Sequence, residues 1–184
     1  MTLDQVLAEL NSLSTTAHLA KLEHFGINSA NALGIKVPDI RQLAKKIGRD
    51  HDLALGLWST GIHEARMLAS MVEVPESVAE SQMDAWAADF DSWDLCDATC
   101  DLFGRLPFTV TKIEEYSLRD EEFVKRSAFA MMCELSFYSR KTEIGLFKRF
   151  FEIIEREAWD NRNFVRKAVN WALRQIGKRN ETLR

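Results

Sequence analysis

Apolar residues recur every three to four positions along almost the whole chain, and little interrupts them. Only 8 glycines and 3 prolines occur in 184 residues. No run of β-branched residues alternates with polar ones, so strands have nothing to form from. The chain is therefore expected to be all-α. Leu3, Val6, Leu7 and Leu10 mark one amphipathic helix and Ala17–His24 a second. Gly26–Gly34 (GINSANALG) is the clearest loop. Pro38 sits where a first helical turn tolerates it and opens a helix over Asp39–Ile47, with Gly48 as terminator. Further helices are expected at 51–59, 63–73, 76–89, 93–104, 108–117, 121–138, 142–157 and 161–178. The short breaks between them imply antiparallel neighbours.

A weak internal repeat refines that picture. Phe123-Val124-Lys125-Arg126 returns as Phe164-Val165-Arg166-Lys167, 41 residues on, and Arg66 in HEARMLASMV aligns with Arg126 at an offset of 60. Periods of this size in a helical chain point to HEAT-like helix pairs stacked as a solenoid, an α-α superhelix whose concave face suits a large ligand. A single domain over 1–184 is the expectation.

Composition narrows the function. With 46% apolar and 28% charged residues the chain is an ordinary globular one, which excludes wholesale disorder. Three cysteines, an odd and low count, argue against a disulfide framework and for a reducing compartment. Met1–Leu10 carries Asp4 and Glu9 without a basic region, so no signal peptide is visible. Apolar runs such as Ala128–Cys133 are far too short to span a bilayer. A cytoplasmic, non-membrane protein, acting as a monomer, is the expectation. The net charge of −4 speaks against nucleic acid when taken as a total. Its distribution reverses that: residues 1–120 hold 10 basic and 19 acidic side chains, and 121–184 hold 14 and 9. Residues 161–184 carry seven basic side chains against Glu181 alone.

Chemistry-bearing residues concentrate on three helices. On the last, Val165, Ala168, Val169, Ala172, Leu173 and Ile176 form the core stripe, while Lys167, Trp171, Arg174 and Lys178 share another face. A tryptophan inside a basic stripe suits stacking beside a phosphate track, or equally a cation–π contact with its own helix. On the helix at 93–104, Asp94, Asp97 and Asp101 share a face, at a repulsive cost of roughly 0.2–0.5 kcal/mol per pair. A cationic partner would offset that cost. Trp93 lies one turn from Asp97, so a ring and a carboxylate can face one point. Arg126, on the apolar helix at 121–138, is costly to bury unpaired and should meet a carboxylate, with Asp97 a candidate, or an anion. Lys125 beside it should point elsewhere. The three cysteines read as small core residues; no metal-ligand spacing, phosphate-cradling glycine loop or nucleophile motif occurs.

Five stretches in order, GINSANALGIKVPDIRQLAKKIGRDH, LWSTGIHEARMLASMV, DSWDLCDAT, FVKRSAFAMM and NFVRKAVNWALRQIGKRN, resemble the AlkD-type DNA alkylation repair proteins, which are HEAT-like-repeat DNA glycosylases. The resemblance runs from about residue 20 to residue 180. It implies removal of N3- and N7-alkylated purines from duplex DNA without flipping the damaged base, with no metal or organic cofactor. It further implies that Trp93 and Trp171 contact the lesion-bearing deoxyribose, that Asp97 is the catalytic carboxylate, and that Arg126 contacts the backbone nearby. Family members usually continue past the stretch matching KRN with further helix. Either the sequence is shortened at Arg184 or part of the duplex-binding surface is missing.

The chemistry fits those residues. Alkylation at N3 or N7 makes the purine a cationic leaving group, and cleavage develops oxocarbenium character at the sugar. A carboxylate aimed there stabilises the charge and activates water, and aromatic faces add to it. Lys36, Arg41 and Lys45, with Arg166, Lys167, Arg174 and Lys178, are the candidate phosphate contacts. Two alternatives stand beside a glycosylase: a non-catalytic DNA-binding repeat, and a protein-interaction solenoid offering acidic residues 73–101 to a basic partner.

Overall fold

The structure, a computed structural model, describes residues 1–138, 144–179 and 183. Among the described residues it is all helical: α1 (Leu3–Ser12), α2 (Thr16–His24), α3 (Val37–Ile47), α4 (His51–Ser59), α5 (His63–Val72), α6 (Glu80–Ala88), α7 (Trp93–Phe103), α8 (Thr109–Ser117), α9 (Glu122–Tyr138), α10 (Ile144–Glu157) and α11 (Asn163–Arg179). The expected helix starting at 142 has its first residues outside the described ones. One expected helix, 76–89, is broken. Pro75–Ser77 form a single 3-10 turn, then Val78 turns extended (φ −73°, ψ 119°) and buries its side chain before α6 begins. Burial of that one valine outweighs continuation of the helix.

The chain divides into two compact units, Met1–Trp86 and Ala87–Arg184. In the first, α3 and α5 run parallel with α4 returning between them. The Thr2–Gln5 capping box starts α1, and Asp50 caps α4 through the Leu53 N–H at 3.0 Å. The GINSANALG loop is fixed from below. Glu64, 1% exposed, accepts the backbone N–H groups of Leu33 (2.8 Å), Gly34 (2.7 Å) and Ile35 (3.1 Å). Such a nest of amides stabilises a buried carboxylate. Gly34 has φ +73° and lies so near the Thr15 carbonyl that a Cβ would come within 2.2 Å of it. Trp58 and Trp86 stack at 4.0 Å, and Arg66 lies 5.5 Å over Trp58.

In the second unit α7, α9 and α11 are parallel, with α8 and α10 as the return helices. The order of contacts sets the register. Along α7 and α9, Cys96 Sγ donates to Phe123 O at 3.4 Å and Cys100 Sγ to Ser127 O at 3.6 Å. Small thiols at those positions let the two helices approach closely. Between α9 and α11, the Phe123 and Phe164 rings meet at 5.5 Å near one end, and Arg179 donates to Ser136 O at the other. Phe123 and Phe164 are each the second residue of their helix, so the 41-residue offset is one structural repeat. Ala128–Cys133 are all buried, which makes α9 the central helix.

Candidate active site

The first turns of α7, α9 and α11 bring three of the expected residues together. Trp93 is the first residue of α7; Ser92, buried, holds the N-cap position, and its hydroxyl donates to Asp91 Oδ1 at 3.2 Å rather than capping the helix. One turn on, Asp97 accepts a two-pronged pair from Arg126: Nε to Oδ1 at 2.9 Å and Nη2 to Oδ2 at 2.8 Å. The third arm, Nη1, donates to the main-chain carbonyl of Phe164 at 2.7 Å. The guanidinium also lies 5.9 Å over the Trp93 ring. Of the two partners offered by sequence, a carboxylate or an anion, the structure selects the Asp97 carboxylate. Lys125 points away, as adjacent helical positions require, and pairs with Glu157 at 2.7 Å.

Exposure distinguishes the partners. The Arg126 side chain is 7% exposed and that of Asp97 is 21%. Arg126 spends three N–H donors inside the protein, whereas Asp97 accepts two hydrogen bonds and has lone pairs left for water or a cation. Burial pushes the Asp97 carboxyl up; the hydrogen bonds and charge of Arg126 pull it back, and Asp94 pushes it up again, leaving it above its ordinary value. Arg126 is pushed down by burial, but Asp97 more than restores it and holds the guanidinium charged. Asp101 is offset separately, by Arg105 at 2.5 Å. The acidic face of α7 is thus balanced largely by the protein itself.

Trp171 stands two turns after Phe164 on the same face of α11 and is half-buried. Between them Lys167 is exposed, its Nζ 5.9 Å over the Phe164 ring. Arg166, Arg174 and Lys178 are exposed on α11, and Lys36, Arg41 and Lys45 are exposed at the start of and along α3. Burial pushes the Cys100 and Cys133 thiols up, and all three cysteines are buried and free, as small core residues should be. Among the described residues no group of three or more His, Cys, Asp or Glu could hold a metal ion, and no helix is long and apolar enough to cross a membrane.

Three participants were not singled out from sequence. Phe123 and the Phe164 ring belong to the repeated FV pair, whose recurrence was the available signal. The Phe164 carbonyl is main chain and leaves no mark in residue types. Glu134, two turns beyond Arg126 on α9, is the third. Burial, then the charge of Asp101, pushes its carboxyl up to about 7, with Arg105 opposing and Asp97 adding to the rise.

In the second unit, parallel helices α7, α9 and α11 with α8 and α10 as return helices, and an arginine-clamped carboxylate near their starts beside tryptophan, define a HEAT-like-repeat protein with a polar site. The sequence profile described as "DNA alkylation repair enzyme" matches residues 6–184, and the chain belongs to that family. Its fold is similar to a solved structure of "a new family of proteins related to the HEAT-like repeat DNA glycosylases with affinity for branched DNA structures". The TM-score is 0.86 at 18% identity, over 96% of this chain and 76% of that one. No match was found among individually curated proteins.

Proposed function

We propose that the protein is a monofunctional DNA glycosylase that hydrolyses the N-glycosidic bond of N3- and N7-alkylated purines in duplex DNA. The observation that carries this reading is the Asp97 carboxylate, clamped by Arg126 yet 21% exposed, next to Trp93. A carboxylate held in this way is fixed in direction and has free lone pairs toward solvent. It sits where a developing positive charge would be stabilised without reorganisation.

In the reaction the C1′–N bond of the lesion breaks and its electron pair neutralises the cationic purine. The oxygen of a water bonds to C1′, and its proton passes to Asp97 and then to solvent. The products are an abasic sugar and the free neutral alkylpurine. Asp97 stabilises the oxocarbenium-like sugar and orients the water. Trp93 and Trp171 offer aromatic faces to the same cation. Arg126 holds Asp97 in direction and turns its two remaining N–H donors to the nearby backbone. Arg166, Lys167, Arg174 and Lys178, with Lys36, Arg41 and Lys45, contact phosphates. No cofactor takes part, the base stays stacked, and the whole chain acts as one monomeric domain. Three buried free cysteines suit a reducing compartment such as the cytoplasm.

The test is release of free N7-methylguanine from methylated duplex, measured against the spontaneous rate. A second reading, a non-catalytic DNA-binding protein, draws on the description of the similar structure. Salt-dependent duplex binding without base release would select it and overturn the first.

A further inference from the structure

Trp159 is 85% exposed, although large aromatic side chains are normally well covered. It lies in the loop 158–162 between α10 and α11, and that loop is tightly held. Arg162 pairs with Asp160 through Nη2 at 2.5 Å, and the Arg162 N–H donates to Asp160 Oδ1 at 3.0 Å. Arg162 Nη1 donates to the carbonyl of Asp120, in the loop that precedes α9. Lys125 reaches both Glu157 (2.7 Å) and Asp160 (3.8 Å). The indole is therefore presented to solvent by a backbone tied down on both sides. An exposed ring on a pre-ordered loop loses little entropy when it binds.

Two further observations point to the kind of partner. The two acids nearest Trp159 in the chain are neutralised, Glu157 by Lys125 and Arg156, and Asp160 by Arg162 and Lys125, and Glu155 is exposed one turn earlier. Beyond them, Arg166 and Lys167 are exposed on the first turns of α11. The local surface thus accepts a polyanion next to an aromatic face. The loop also adjoins the starts of α9 and α11, where Arg126, braced on the Phe164 carbonyl, holds Asp97. Trp159 precedes Phe164 by five residues, a span of at most about 18 Å even if fully extended. At about 3.4 Å per nucleotide that is roughly five steps along a strand seated at Asp97.

We infer that Trp159 is a stacking contact for an unpaired base of the bound DNA, outside the Asp97 site. Bases inside a duplex offer no free face, so this contact forms where one base is extrahelical and adds selectivity for such DNA. The inference rests on the DNA-binding part of the proposed function and is independent of the chemistry at Asp97.

The experiment measures affinity by fluorescence anisotropy for a duplex and for the same duplex carrying a single-nucleotide bulge. The full chain is compared with Trp159→Ala and Trp159→Phe. The exposed position leaves folding intact, and a thermal melt checks this. The wild type should prefer the bulged DNA, and Trp159→Ala should lose on the order of ten- to a hundredfold in affinity for it. Trp159→Phe should retain most of the preference, and affinity for plain duplex should change little. Equal affinity of wild type and Trp159→Ala for bulged DNA overturns the inference, as does absence of DNA binding at low salt. It is equally overturned if the wild type is a dimer that Trp159→Ala converts to monomer, because a second copy then covers the ring. Base release from methylated duplex, run in parallel, separates the two claims. Trp159-dependent binding without release sinks the glycosylase reading alone, and release with an unaltered Trp159→Ala variant sinks this one alone.

Discussion

At the scale of residues, two carboxyl groups on neighbouring helices are set apart by their surroundings. Asp97 is poised between burial, which disfavours its charge, and Arg126, which favours it. The ionised form is the one that can stabilise a sugar cation, so excision should fall as pH drops through its raised pKa. The acid limb of single-turnover excision is therefore expected above the ordinary 3.8. A midpoint below that value would mean that Arg126 outweighs burial. Glu134 has no arginine clamp among the described residues and titrates near 7 against 4.5 when unfolded. Its contribution to stability is fully present below pH 4.5 and is lost as pH rises through 7. Glu134→Gln should thus stabilise the protein at pH 8 by about 1–3 kcal/mol and change little at pH 4.5, as read by urea unfolding at both. The Asp97–Arg126 pair was legible in the sequence as one option among two, because a cation on an apolar helix needs a partner. Glu134 was not, since nothing in its residue type signals that Asp101 and burial converge on it.

At the scale of elements, periodicity made the helices legible, and their ends were set by local chemistry. Where a single side chain overrode the period the expectation failed. Val78 is the case in point, buried in an extended conformation between a 3-10 turn and α6. The loop before α3 was recognised from its glycines and asparagines, but its rigidity was not, because the anchoring group, Glu64, lies some 30 residues further along the chain. That anchor sets where Lys36 and the start of α3 stand. Glu64→Gln would replace one of the accepting oxygens with an amide donor facing N–H groups. It should cost about 2–4 kcal/mol of stability. Denaturant unfolding checks this, and a change below half a kcal/mol would show that the nest holds the loop without the charge.

At the scale of the whole molecule, a net charge of −4 is compatible with binding DNA because the cations are not spread evenly. On α11 they line one helix, and on α3 they follow the anchored loop. If phosphates meet both, each cation removed should lower the salt dependence of duplex binding by about one unit of slope. Arg174→Ala with Lys178→Ala should reduce the slope by about 2, and Lys36→Ala with Lys45→Ala by a similar amount. An unchanged slope in the second pair would confine the duplex to the second unit. The repeat that underlies this arrangement was visible in the FVKR and FVRK segments, whose phenylalanines the structure places against each other.

The central claim is that Asp97 does chemistry on the sugar of an alkylated nucleotide. Single-turnover release of N7-methylguanine by the wild type and by Asp97→Asn, with duplex affinity measured on both, tests it most directly. The expected result is release above the spontaneous rate by the wild type and a loss on the order of a hundred- to a thousandfold in Asp97→Asn, with DNA still bound. Equal release by the two proteins would contradict it.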